Sequence, residues 1–229
     1  QLAAALFCFG LFGNMCNISI NTQGVAAERL YQRPIMSSFH GGWSMAGFTG
    51  ALVGLAMMNF RANPLTHFVI IVGIVWIFIL FNKRFLIAGA GQSNIPAART
   101  SFFSKPDRLL FLLGVIGFCS MASEGAMFDW SGVYFKDVVK APASLVVLGY
   151  TSFMIMMAGG RFVADKLIAR YGRKLLLQIS GVMISTGLFI SVLFPYLIPS
   201  TFAFMLVGLG VSSIVPTVYS TAGKHPSIA

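Results

Sequence analysis

Gly159-Gly160-Arg161-Phe162-Val163-Ala164-Asp165-Lys166-Leu167-Ile168-Ala169-Arg170-Tyr171-Gly172-Arg173-Lys174 joins two hydrophobic runs, one arriving from Leu145 and one leaving from Leu175. Such a short basic connection between apolar segments predicts a helix–turn–helix pair crossing a membrane. Gly159 and Gly160 allow a neighbouring helix backbone to approach closely. Gly172 permits the backbone angles of a tight reversal. Asp165, one turn past the glycines, is placed to pair with Arg161, Arg170 or Arg173, or to face the positive start of another helix.

Working outward, the 229 residues are 57% hydrophobic and 10% charged, with a mean hydropathy of +0.82, whereas a soluble domain carries about 25% charged residues. The chain therefore reads as an all-α, polytopic membrane protein. Its net charge of +10 does not signal nucleic acid, because the basic residues sit in short clusters between apolar runs. Cys8, Cys16 and Cys119 lie in apolar segments without metal spacing, and are expected as small core residues rather than disulfide partners. No nucleophile–base pair, metal-ligand cluster or phosphate loop stands out. An enzyme, a cofactor and a metal site are accordingly not expected.

A spanning helix needs about 20 apolar residues, and seven segments qualify: Leu2–Ala27, Ile35–Phe60, Leu65–Phe81, Leu109–Tyr134, Ser144–Ile168, Leu175–Pro195 and Phe202–Ala222. If successive links alternate sides, thirteen of the sixteen Lys and Arg fall on one side, leaving Arg61, Lys136 and Lys140 on the other. The richer side is then cytoplasmic and the first helix runs inward. The chain lacks an initiator Met and begins inside an apolar run. It is expected to be a piece of a longer protein.

The loop at 159–174 resembles the signature loop of the major facilitator superfamily, in the copy between the eighth and ninth helices. Pro34-Ile-Met-Ser-Ser-Phe-His-Gly-Gly-Trp-Ser44, Glu124-Gly-Ala-Met-Phe-Asp-Trp-Ser-Gly-Val-Tyr134 and Ile214-Val-Pro-Thr217 narrow the resemblance to the bacterial sugar-permease-like branch, near fucose permease-like proteins. The resemblance implies helices four to ten of a twelve-helix bundle. Residues 1–82 would end the N-terminal six-helix bundle, 83–108 would be the cytoplasmic link, and 109–229 would begin the C-terminal bundle. It implies secondary active transport of a small polar solute, a sugar or related compound, across the bacterial inner membrane by alternating access. The expected partners are the lipid bilayer, the solute and a candidate coupling proton, with a monomeric carrier. An exporter of amphipathic drugs or metabolites and a non-transporting ligand sensor on the same scaffold are the alternatives.

Polar residues inside the spans nominate the site. A charge at the bilayer centre costs at least about 2.5–3.5 kcal/mol, so Glu124 and Asp129 on the fourth segment attract notice. Glu124 stands about 22 Å along its helix, and Asp129 points about 140° away from it, beside Trp130. Asn14, Asn17 and Asn21 share one face of the first helix. Their amides donate and accept, which suits hydroxyl-rich ligands. Ser37, His40 and Ser44 follow on the second helix with Trp43 beside them, opposite a small-residue stripe of Gly42, Ala46, Gly50 and Gly54 that invites close packing. The resemblance places an acid of the relatives' fourth helix at Asn17, whose amide does not titrate; proton coupling there would shift to Glu124 or be lost. Gly160, Arg161, Asp165, Arg170, Gly172 and Arg173 would form a conformational latch.

Overall fold

The computed structural model describes residues 2–61, 63–88 and 107–225. Within them seven helices follow one another: α1 (Leu2–Tyr31), α2 (Met36–Asn59), α3 (Pro64–Asn82), α4 (Arg108–Asp137), α5 (Leu148–Tyr171), α6 (Arg173–Leu193) and α7 (Leu197–Ala222). Most of the expected link at 83–108 lies outside the described residues. Its first residues, Lys83–Phe85, form a 3-10 turn. Ile87 then exchanges two hydrogen bonds with the Gln23 side chain, at 2.9 and 3.2 Å.

Helix boundaries follow local chemistry. Asn63 caps α3 by accepting from Leu65 N at 2.9 Å, with Pro64 in the first turn, where its missing N–H costs nothing. Asp107 caps α4 in the same way, 2.8 Å from Leu109 N. Gly172 ends α5 at φ 82° and ψ 160°, a region open essentially to glycine alone, and α6 starts at the next residue. α7 begins at Leu197, five residues before the expected Phe202. Pro199 is tolerated because it falls in the first turn.

Six of the helices are long and apolar enough to cross a membrane. α2 has 24 residues, but Ser37, Ser38, His40 and Ser44 lower the hydropathy of its first half. The protein is an all-α, multi-pass membrane protein. α3 has no buried residue and a mean hydropathy of 2.5 over its span, the character of a helix facing lipid.

The packed core lies among α4, α5, α6 and α7, centred on Phe135, Phe153, Met157, Phe204, Val207 and Val211. α7 is the central post, contacting α4, α5 and α6. Glycine makes this possible. A Cβ at Gly208 would collide with the Phe153 carbonyl of α5, and one at Gly187 or Gly210 would come within 2.7–2.8 Å of α7 or α6 backbone oxygens. α1 and α2 attach to this cluster through α5 and α7.

Two expectations are corrected here. The stripe on α2 packs on nothing among the described residues: a Cβ at Gly42, Gly50 or Gly54 meets open space. The glycine that α2 does use is Gly41, where a Cβ would meet the Phe162 ring at 2.8 Å; it faces α5, whereas the stripe faces away. Cys8, Cys16 and Cys119 are exposed on helix faces rather than in the core. All of α1 from Leu2 to Cys16 is likewise exposed, so the described residues form no core there for the first two to enter.

Candidate functional site

The sequence before α2 offers its amides no local cap. Arg33-Pro34-Ile35 precedes Met36, with no Ser, Thr, Asp or Asn at the capping position. The first N–H groups of a helix need acceptors, and here two carboxylates from other helices, one adjacent in sequence and one distant, supply them. Glu28 Oε2, at the end of α1, accepts from Ile35 N at 3.2 Å and Met36 N at 3.1 Å. Asp165, on α5, accepts from Ser37 N at 3.0 Å through Oδ1, and from Ser38 N at 2.7 Å and Ser38 Oγ at 2.6 Å through Oδ2. Both acids are buried, where the helix N-terminus contributes most to their stabilisation.

Glu28 gathers more of the same end. Its Oε1 accepts from Arg173 at 3.3 Å, and from Ser220 Oγ and Lys224 Nζ. Arg29 donates to the Gly223 carbonyl, and His225 approaches Asp107 at 3.5 Å. The end of α1, the start of α2, the start of α4, the α5–α6 turn and the end of α7 therefore meet at one basic end, as alternate crossing requires.

The expected latch residues divide accordingly. Asp165 binds the start of α2 instead of Arg161, Arg170 or Arg173. Arg161 is drawn into the bundle, Arg173 lies beyond the break at Gly172 and reaches Glu28, and Arg170 lies over the Tyr171 ring. Gly160 brings α5 against α7, since a Cβ there would sit 2.5 Å from Ser212 Oγ; at Gly159 a Cβ would meet nothing.

Deeper in the bundle is a cavity of about 1290 Å³ bounded by α1, α2, α4, α5 and the turn after α3. Arg161 is buried on its wall, 5% exposed. It donates to Ser44 Oγ on α2 at 2.6 Å and to Glu124 on α4 at 3.3 Å, while its Nε has no partner among the described residues. On the α1 side, Asn21 Nδ2 donates to Asn17 Oδ1 at 2.6 Å, and Asn21 Oδ1 lies 3.2 Å from His40 Nε2. His40 also stacks on Tyr219 with ring centroids 6.3 Å apart. Trp43 and Gln23 complete the polar and aromatic wall. Donors and acceptors of both kinds thus converge on one space with a single ion pair at its edge.

Asn17, Asn21, His40, Trp43, Ser44, Glu124 and Arg161 all border this cavity. Asn14, Asp129 and Trp130 do not: each is exposed and away from it. Asn14 shares the face of Asn21 but stands about 10 Å further along α1, where the helix has left its neighbours. Glu28 is the residue that sequence reasoning missed as a contact, whereas Gln23 stands near the asparagine face in the sequence and does border the cavity. The uncapped start of α2 was the available signal for Glu28.

Proteins similar to this chain include two that are named as transporters. An uncharacterized transporter, y4wD, of Sinorhizobium fredii is 32% identical over 96% of the chain. An uncharacterized MFS-type transporter of Yersinia pestis is 30% identical over 98% of the chain. The membrane protein MosC of Rhizobium meliloti is 27% identical, also over 98%. The chain spans 54–58% of the length of these relatives. No family model and no solved structure gives a significant match.

Proposed function

We propose that this chain is helices four to ten of a major facilitator superfamily carrier, and that the carrier moves a small polar solute, a sugar or related compound, across the bacterial inner membrane by alternating access. In this reading residues 1–82 belong to one bundle, 109–229 to the other, and 83–108 to a cytoplasmic link. The observation that carries it is Arg161, buried on the cavity wall between Ser44 and Glu124. A buried charge inside a membrane span is costly and is found where a cavity or pathway needs it. The amides of Asn17 and Asn21 suit hydroxyl groups, and Glu124 is the acid placed to exchange a coupling proton. The carboxylates of Glu28 and Asp165 act as the latch: they hold the start of α2 against α5, α6 and α7, and stabilise the states in which these ends meet.

A second reading rests on the rest of the wall. Phe39, Trp43, Phe48, Met121, Phe128 and Met154 also line the cavity, which suits an exporter of amphipathic compounds. Thermal stabilisation of the full-length protein by a panel of sugars, beside efflux of lipophilic dyes from cells expressing it, separates the two. Stabilisation by a sugar that is lost in Arg161→Gln supports the first. Dye efflux without any sugar response overturns it.

A further inference from the structure

Beside the latch, at the turn between α1 and α2, a pocket of about 300 Å³ is lined by Arg29, Gln32, Arg33, Pro34, Arg173 and Lys224. Its size matches the lower end of small-ligand sites, about 300–1,000 Å³, but apart from Pro34 its lining carries charge or amide, so an apolar ligand has little to fill. Four cations face it, and the carboxylate beneath them, Glu28, is already committed to five donors. The other acids at this end are occupied too: Asp165 by the α2 amides and Asp107 by its helix cap and His225. Arg173 Nε is buried without a partner among the described residues, and among the same residues Arg33 lies over the Tyr31 ring, 5.5 Å away.

We propose that this pocket binds a phosphate group, on a lipid headgroup or free in solution. The excess of three positive charges suits a phosphate better than a single carboxylate, and planar guanidinium forks match phosphate oxygens. Its donors come from α1, the turn, the start of α6 and the end of α7, so a bound phosphate ties together the elements that Glu28 joins. It therefore favours the conformation in which these ends are gathered, whatever solute the carrier moves.

The test uses the full-length protein in a maltoside detergent, which carries no phosphate. Thermal unfolding is followed against inorganic phosphate, with sodium chloride at matched ionic strength as control, and in parallel mixed micelles containing phosphatidylglycerol. Arg33→Gln is the variant, because Arg33 is exposed and its loss leaves the Glu28 cluster intact. One cation near a surface phosphate is worth about five-fold in affinity; adding Arg29→Gln brings the loss to about 30-fold. Stabilisation by inorganic phosphate that weakens by these factors assigns a soluble source. Stabilisation by phosphatidylglycerol alone, weakened in the same variants, assigns the headgroup. No stabilisation by either, or an equal response in wild type and variants, overturns the proposal.

Discussion

Replacing Asp165 with Asn keeps the shape of the side chain and removes what the latch needs. The wild-type carboxylate accepts three hydrogen bonds, from Ser37 N, Ser38 N and Ser38 Oγ, at 3.0, 2.7 and 2.6 Å. An amide has one acceptor oxygen, and its NH2 must face an N–H of α2, donor against donor. A hydrogen bond to a charged group contributes about 1.5–3 kcal/mol, and a carboxylate at a helix N-terminus up to about 2 kcal/mol more. The two overlap, so the expected loss is about 2–3 kcal/mol. Because the contact exists only where α2 and α5 meet, that loss shifts the conformational balance by about 30- to 160-fold. Spin labels on cysteines introduced at Tyr31 and Tyr171, both exposed, with the native cysteines replaced, report the separation by pulsed electron resonance in the full-length protein. Asp165→Asn should add or enlarge a long-distance population, and should reduce uptake more than ligand binding. Ser38→Ala, which removes one of the three bonds, should shift it by a smaller amount. An unchanged distance distribution in Asp165→Asn would refute the reasoning.

The other expectations concern the ion pair and the glycines. Glu124→Ala leaves Arg161 buried without its carboxylate and should destabilise by about 3–5 kcal/mol. The double variant Glu124→Ala/Arg161→Ala should lose less than the sum of the single variants, and additive losses in thermal or denaturant unfolding would show that the pair is not coupled. Gly208→Ala forces a methyl into the Phe153 carbonyl and should cost at least about 1–3 kcal/mol. Gly159→Ala meets open space and should be neutral or stabilising by up to about 1 kcal/mol; equal effects at both positions would contradict the packing of α5 on α7. Gly172→Ala should cost about 1–3 kcal/mol from backbone strain alone, visible as a lower Tm with no loss at Gly181→Ala, where a Cβ is also unobstructed.

The helices were legible because length and apolarity are local properties. Leu2–Ala27 grew to Tyr31 and Leu109–Tyr134 to Asp137, since backbone hydrogen bonding continues past the apolar stretch that marks a span. Much of the polar wall was legible too, because Asn17 and Asn21 share a helix face and His40 and Ser44 lie one turn apart. Partners were less so. That Asp165 would face a helix start was one of two options open from its position; which helix depends on how α2 is rotated against α5. Arg161 reads as a loop cation by sequence distance, yet it stands one turn before Asp165 and reaches inward to Glu124. Asn14 fits the polar face as well as Asn17 does, and only the divergence of α1 from its neighbours removes it. The stripe from Gly42 to Gly54 shows the same limit: small residues permit close packing, but a second helix must be there to use it.

In the proposed carrier, solute crosses the membrane through the cavity walled by Asn21, His40, Ser44, Arg161 and Glu124. The most direct test is counterflow of radiolabelled sugars in proteoliposomes of the full-length protein, with and without a pH gradient. The expected result is a transient internal accumulation of one such solute, abolished by Arg161→Gln while the protein remains folded. Solute binding with no flux in any condition, or flux indifferent to Arg161→Gln, would contradict it.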